Sequence, residues 1–159
     1  MTKFERDMNT GAIGEEIVFN LLKSDSRVKE VIDVREDKIF QRIDVDFVQF
    51  FKNEKPLLIE VKTDEKAHET GNIIYESISN ATYNTIGCFE KTTSQIIYYY
   101  IVHTKEMLII RTSKLRDYMS EDKNKKKYKY VHMGDNARGY LIPIQHILNN
   151  NLGSKLKIS

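Results

Sequence analysis

The sequence predicts an α/β fold, leaning towards α+β, with a mixed central sheet and flanking helices. Three observations carry this. Apolar residues recur at helical spacing near the start, at Ile13, Ile17, Val18, Leu21 and Leu22. β-rich runs then follow one another at short intervals, the strongest being Ile96-Ile97-Tyr98-Tyr99-Tyr100-Ile101-Val102. The connections are short and polar, and no Pro/Gly-rich linker or internal repeat divides the 159 residues, so one domain over 1–159 is expected.

Residues 10–24 read as an amphipathic helix, with Asn9-Thr10-Gly11 as start chemistry and Glu15 and Glu16 in its first turns. Gly11 and Gly14 lower its propensity, and their spacing points to close packing of that helix end, with the sheet as the candidate neighbour. Residues 28–34 are β-rich and 35–38 form a turn. A long strand is expected from Ile39 to Phe51, with Asp44, Asp46 and Val48 on one face and Ile43, Val45 and Phe47 on the other. After a turn at 52–55, Leu57 to Lys62 returns as a strand, apolar on both faces until Glu60. Residues 64–70 read as a polar loop, 72–78 as a strand, and 87–94 as an ambiguous, short helical stretch. Ile96–Val102 is the central strand, with Met107–Thr112 as its hairpin partner. Ser113 is placed to cap a helix over 114–119, and the lysine-rich stretch after it reads as a loop. Residues 128–133 and 140–144 are short peripheral strands around a Gly134-Asp135-Asn136 turn. Residues 145–150 close as a short helix or turn.

Composition excludes several classes. A net charge of +2 names no partner by itself, although Lys123 to Lys129 places five lysines in seven residues. That run reads first as a solvated loop and second as a phosphate-binding patch. The lone cysteine, Cys88, leaves no internal disulfide and no Cys-rich zinc site, which agrees with a reducing compartment. Met1 to Asp7 lacks the apolar core of a signal peptide, and no apolar run approaches the roughly 20 residues of a membrane span. A cytoplasmic protein with no membrane contact is expected.

The chemistry concentrates on the hairpin of 41–48 and 56–64. Glu60 and Lys62 are two apart on a strand and share a face, as Asp44 and Asp46 do on the preceding one. A loop centred on Asn53 sets Asp46 opposite Glu60 and Asp44 opposite Lys62; a two-residue slip sets Asp44 opposite Glu60 instead. Opposed Cβ atoms lie about 4.5–5.5 Å apart, and like charges at that distance destabilise a sheet. Such acids need a cation, either Lys62 or a bound metal. Mg²⁺ or Mn²⁺ prefers the hard oxygens that Asp44 or Asp46, Glu60 and the Val61 carbonyl offer. Lys62 beside a metal-bound water is equipment for phosphodiester hydrolysis.

An aspartate on one strand followed by Glu60-Val61-Lys62 ending the next resembles the PD-(D/E)xK nuclease superfamily, which includes restriction endonucleases and archaeal-type Holliday-junction resolvases. The resemblance covers about residues 10–65 and implies a restriction-endonuclease-like core ordered helix, three-stranded meander, helix, strand. The family's first helix often carries a glutamate that assists the metal, and Gly11-Ala12-Ile13-Gly14-Glu15 looks like that helix. By the resemblance, Asp46 or Asp44 with Glu60 holds the metal, Lys62 positions water and Glu15 supports. The family's proline is absent: Ile43 precedes Asp44 and Val45 precedes Asp46, so the choice of aspartate stays open.

The function expected is a divalent-metal-dependent endonuclease acting on DNA, branched or mobile-element DNA included, with RNA the other admissible substrate. The alternative is an inactive nuclease-like module that binds nucleic acid or protein. Cutting two strands makes a homodimer a natural expectation. Glu76 reads equally as a further acid or a salt-bridge partner. His68, His103, His132 and His146 lack metal-ligand spacing, and the Tyr98–Tyr100 run reads as core before base-stacking platform.

Overall fold

The computed structural model describes residues 3–158, with backbone alone for 3–8 and 135; Met1 and Thr2, on which the signal-peptide reading partly falls, lie outside them. The chain opens with α1 (Lys3–Ser24), β1 (Val28–Asp33), α2 (Lys38–Arg42), β2 (Phe47–Phe51) and β3 (Leu57–Asp64). It continues with α3 (Ala67–Thr70), β4 (Asn72–Asn80), β5 (Thr85–Ile86) and α4 (Cys88–Lys91). Then follow β6 (Ile96–Ile101), β7 (Glu106–Arg111), α5 (Thr112–Ser120) and α6 (Asp122–Lys125). The last elements are β8 (Lys129–His132), a 3₁₀ turn (Gly134–Asn136), β9 (Arg138–Pro143), α7 (Ile144–Asn149) and β10 (Gly153–Lys157).

The fold is mixed α/β. A six-stranded sheet runs β1-β2-β3-β6-β7-β10, antiparallel except for the parallel pair β3–β6. Parallel neighbours require a crossover. Here the crossover includes α3, β4, β5 and α4, and its strands belong to a second, four-stranded antiparallel sheet ordered β5-β4-β9-β8. The expectation of one sheet is therefore corrected to two: the strands read as peripheral pair with each other. No described helix is long and apolar enough to cross a membrane.

The large sheet is covered on both faces. Val18 and Leu22 of α1 pack with Phe47, Ile59, Val61, Tyr100 and Met107. Ile97, Tyr99, Ile101, Leu108 and Ile110 pack on the other side with Ile73, Tyr75 and Ile142 of the small sheet. Ile59 and Ile97, both fully buried, sit at the centre of these two layers. Helix α1 begins seven residues before the expected start, and the close packing expected of its two glycines occurs at Gly14 alone. A Cβ on Gly14 would lie 2.0 Å from Thr63 Oγ1, so only glycine lets the helix meet β3 there, whereas nothing lies within 4 Å at Gly11.

Three local expectations change. The strand expected over Ile39–Phe51 is α2 followed by β2. Asp37 Oδ1 accepts the Ile39 N–H at 2.8 Å and caps the helix, and Asp44 then takes φ +50°. Asp44 therefore sits in a turn off the strand. The lysine run is partly the helix α6. Helix α5 starts at Thr112, and no side chain caps it.

Candidate functional site

β3 changes partners along its length. Leu57, Leu58 and Ile59 pair with Gln49, Val48 and Phe47 of β2, and from Ile59 onward the strand pairs in parallel with β6. The ladder ends with Phe47 opposite Ile59, the even-sum register of a loop centred on Asn53; Asp46, one residue beyond that last pair, lines one cleft with Glu60. Asp46 stands where β2 begins. Its N–H donates to the Ile59 carbonyl at 2.8 Å, and its carbonyl accepts the Val34 N–H at 3.0 Å. Its Oδ2 accepts the Val61 N–H at 2.7 Å. A strand residue points its N–H and C=O to the same edge, so the Val61 carbonyl is directed to the Asp46 side as well.

Glu60 lies on the opposite face of β3 from Ile59 and Val61 and is 5% exposed. Its Oε1 lies 2.9 Å from Lys62 Nζ and accepts the Cys88 thiol at 3.5 Å. The electrostatics follow from crowding. Burial first, and then the charge of Glu60, push the Asp46 carboxyl up to about 8, against a partial pull-down from the Val61 N–H. Burial works against the Lys62 charge, but Glu60 overrides it and raises the ammonium well above its usual range, with Cys88 and Glu76 contributing. Burial pushes the Cys88 thiol far up, so it remains a protonated donor to Glu60.

Two open clefts meet at this point. One, of ≈ 620 Å³, is lined by Glu15, Asp44, Asp46, Glu60 and Arg35 among others. The other, of ≈ 580 Å³, is lined by Lys62, Asp64, Lys66, Glu76, Met133 and again Glu15. Glu15 thus stands between the clefts, with Oε2 paired to Arg35 Nη1 at 2.9 Å. Arg35 also bonds Asp33 at 2.5 Å and lies over the Phe47 ring at 5.2 Å.

Asp46, Glu60, Val61 and Lys62 are brought together, and Glu15 faces them across the cleft. Asp44 reaches the same cleft but faces neither Glu60 nor Lys62 across a ladder, which corrects both hairpin pairings proposed for it. Its Oδ1 pairs with Lys91 Nζ at 3.0 Å. Its carbonyl accepts the hydroxyls of Thr92 and Ser94 at 2.6 and 3.0 Å. Glu76 accepts the Cys88 N–H at 3.2 Å and lines the Lys62 cleft.

Sequence reasoning missed Arg35 and Cys88. Arg35 was hidden in a turn of mixed charge. Cys88 meets Glu60 across 28 positions, and nothing local to either announces the contact. Tyr99, buried, donates its hydroxyl to Asp64 and accepts the Ile74 N–H at 3.4 Å, so the central tyrosine is core with one polar anchor. The His68 and His103 rings meet with centroids 4.3 Å apart and planes tilted by 42°, a contact that their spacing concealed.

Among the described residues, no three His, Cys, Asp or Glu side chains form a ready metal-binding group. The donors that do converge are hard oxygens: two carboxylates and the Val61 carbonyl. That chemistry suits Mg²⁺, which usually keeps several waters and takes only one or two carboxylates. Compared with known proteins, the chain matches no family model, no curated protein and no solved structure.

Proposed function

We propose that the protein is a divalent-metal-dependent endonuclease acting on DNA, built on the PD-(D/E)xK plan. The observation that carries the reading is Asp46, bonded to the Val61 N–H and lining one cleft with a buried Glu60, with Lys62 2.9 Å from that second carboxylate, at the junction of two open clefts. Two carboxylates crowded into one buried place repel each other unless a cation or a proton relieves them. Lys62 supplies one positive charge; the second carboxylate, Asp46, is relieved by a proton below about pH 8, and a divalent ion would take that proton's place.

Asp46, Glu60 and the Val61 carbonyl would hold Mg²⁺ or Mn²⁺. When bound, the ion would supply a water of lowered pKa and charge stabilisation for the phosphate. Lys62 is held charged, so its role is to donate a hydrogen bond that orients the attacking water or a phosphate oxygen, not to act as a base. Glu15 supports from α1, and the Cys88 thiol fixes the Glu60 carboxylate. Asp44 stands at the rim, and its ion pair with Lys91 makes it the lesser candidate ligand. A cytoplasmic setting suits the reduced Cys88, and a homodimer would provide the two sites that double-strand cleavage needs.

The second reading is a nuclease-like module that binds without cutting. It is favoured by the Lys62–Glu60 ion pair, which already occupies one carboxylate oxygen. Plasmid and branched DNA with Mg²⁺ or Mn²⁺ separate the two readings. Cleavage by the wild type, lowered about 10²–10³-fold in Glu60→Ala and Lys62→Ala, is expected. Cleavage undiminished in Glu60→Ala would overturn the assignment, and DNA binding without cleavage in either metal would favour the second reading.

A further inference from the structure

We propose that the outward face of the small sheet, with the lysine-rich segment that leads into β8, seats the backbone of duplex DNA and guides it to the Lys62 cleft. This deepens the nuclease reading and rests on it.

Charge is the first argument. Residues 121–129 contain five lysines (Lys123, Lys125, Lys126, Lys127 and Lys129) against two acidic side chains, Glu121 and Asp122. That excess of three exceeds the +2 of the whole chain, so the remainder is slightly acidic and the positive field is local.

Order is the second. The lysine segment is anchored on both sides, unlike a solvated loop. Asn124 is 3% exposed and donates through Nδ2 to the Tyr118 carbonyl at 2.9 Å. Buried Tyr128 shares a hydrogen bond of 3.0 Å with the Tyr118 hydroxyl. Lys123 pairs with Glu121, and Lys127 Nζ donates to Asn124 Oδ1 at 2.6 Å. Lys125, Lys126 and Lys129 have no carboxylate partner among the described residues. Charges left unpaired on an anchored segment are available to phosphates.

Direction is the third. Lys129 pairs with Leu141, and Leu141 pairs with Ile74. Directly opposed residues share a face, so these three side chains project together. Ile74 lines the Lys62 cleft, and so does Met133, the residue that follows β8. The four-residue strand β8 therefore connects the lysine segment to the cleft over about 13 Å, roughly four base-pair steps of duplex.

The side chains of this face select the occupant. Along β8 and β9 it presents Lys129, Val131 and Leu141. Tyr130 and Tyr140, with rings 4.8 Å apart, belong to the opposite face, where Tyr140 packs on the core. Single strands are gripped by stacking bases on aromatic rings. A duplex backbone asks only for placed positive charge, which Lys129 on this face and the lysine segment leading into it supply.

The test is fluorescence anisotropy with a duplex oligonucleotide, in EDTA so that no cleavage occurs, over a series of salt concentrations. The variant carries Lys125→Gln, Lys126→Gln and Lys129→Gln. A charge-matched control carries Lys29→Gln, Lys55→Gln and Lys157→Gln, and thermal melts confirm that both fold. The seat predicts at least a tenfold loss of affinity in the first variant, with the slope of log affinity against log salt reduced by about 1 per lysine. The control should lose less than half as much of either. Equal losses in both variants, no loss in the first, or tighter binding of the same sequence as single-stranded DNA or RNA would each overturn the proposal. Lysine-dependent binding with no cleavage in Mg²⁺ or Mn²⁺ would leave the seat standing and remove the nuclease reading. Glu60-dependent cleavage with binding indifferent to these lysines would do the reverse.

Discussion

The two halves of β3 differ in what surrounds them. Leu57 to Ile59 is apolar and paired with β2 through backbone ladders. Glu60 to Asp64 carries three charged side chains and is paired with β6 alone. At the changeover β2 has ended, and the Val61 N–H is met by the Asp46 carboxylate instead of a backbone carbonyl. The first half is held by burial and regular hydrogen bonding. The second half exchanges part of that regularity for side-chain contacts, and this is where carboxylates, an ammonium and a thiol are crowded together. A strand that outlasts its neighbour leaves an edge, and polar side chains can occupy it at modest cost to the sheet.

The largest expected effect belongs to the first half. Ile59 is fully buried in the layer beneath α1, and Ile59→Ala should cost about 2–5 kcal/mol in urea denaturation. A loss under 1 kcal/mol would mean that this half is not the structural one.

The second half should answer to pH instead. Without a cation, the Asp46 carboxyl is pushed up from 3.8 to about 8 by burial and by Glu60. Between these values the native state holds a proton that the unfolded chain has released. That contribution to stability is full below about 4, declines as pH rises and is gone above about 8, with a slope of at most ~1.4 kcal/mol per pH unit. Metal-free wild type should therefore lose stability from pH 5 to pH 8.5, and Asp46→Asn should flatten the curve. Parallel curves for the two proteins would break the contrast between the halves.

The smallest effect is expected at Asp44. Its ion pair with Lys91 is partly exposed, and Lys91→Ala should cost about 0.2–1 kcal/mol by the same denaturation assay. A loss above 2 kcal/mol would mean that the Asp44 turn is as deeply built in as the Asp46 position.

Much of this was legible in the residues. Leu57-Leu58-Ile59 is too apolar for an exposed strand, and its burial follows from that run, whereas the loop alone leaves two registers open and the structure takes the one centred on Asn53. The Ile96–Ile101 strand declared itself by composition and proved central. The misreading at 39–44 has a local cause. Ile43, Val45 and Phe47 alternate with Asp44 and Asp46 as a strand would, but the Asp37 cap starts a helix and Asp44 takes a positive φ in the turn after it. The two aspartates are equivalent only if period-two alternation runs through 39–46, and that segment is not extended. The small sheet was hidden for another reason: its strands were each visible, but their pairing depends on contacts between residues such as Tyr75 and Tyr140, far apart in the chain. The same holds for Cys88 against Glu60 and Arg35 against Glu15.

The central claim is that the changeover point of β3, not the turn before it, is the cation site. Calorimetric titration with Mn²⁺ tests it most directly. The account predicts saturable binding by the wild type, its loss in Asp46→Asn and Glu60→Gln, and its survival in Asp44→Asn. No heat of binding in the wild type, or an Asp44→Asn loss equal to that of Asp46→Asn, would contradict it.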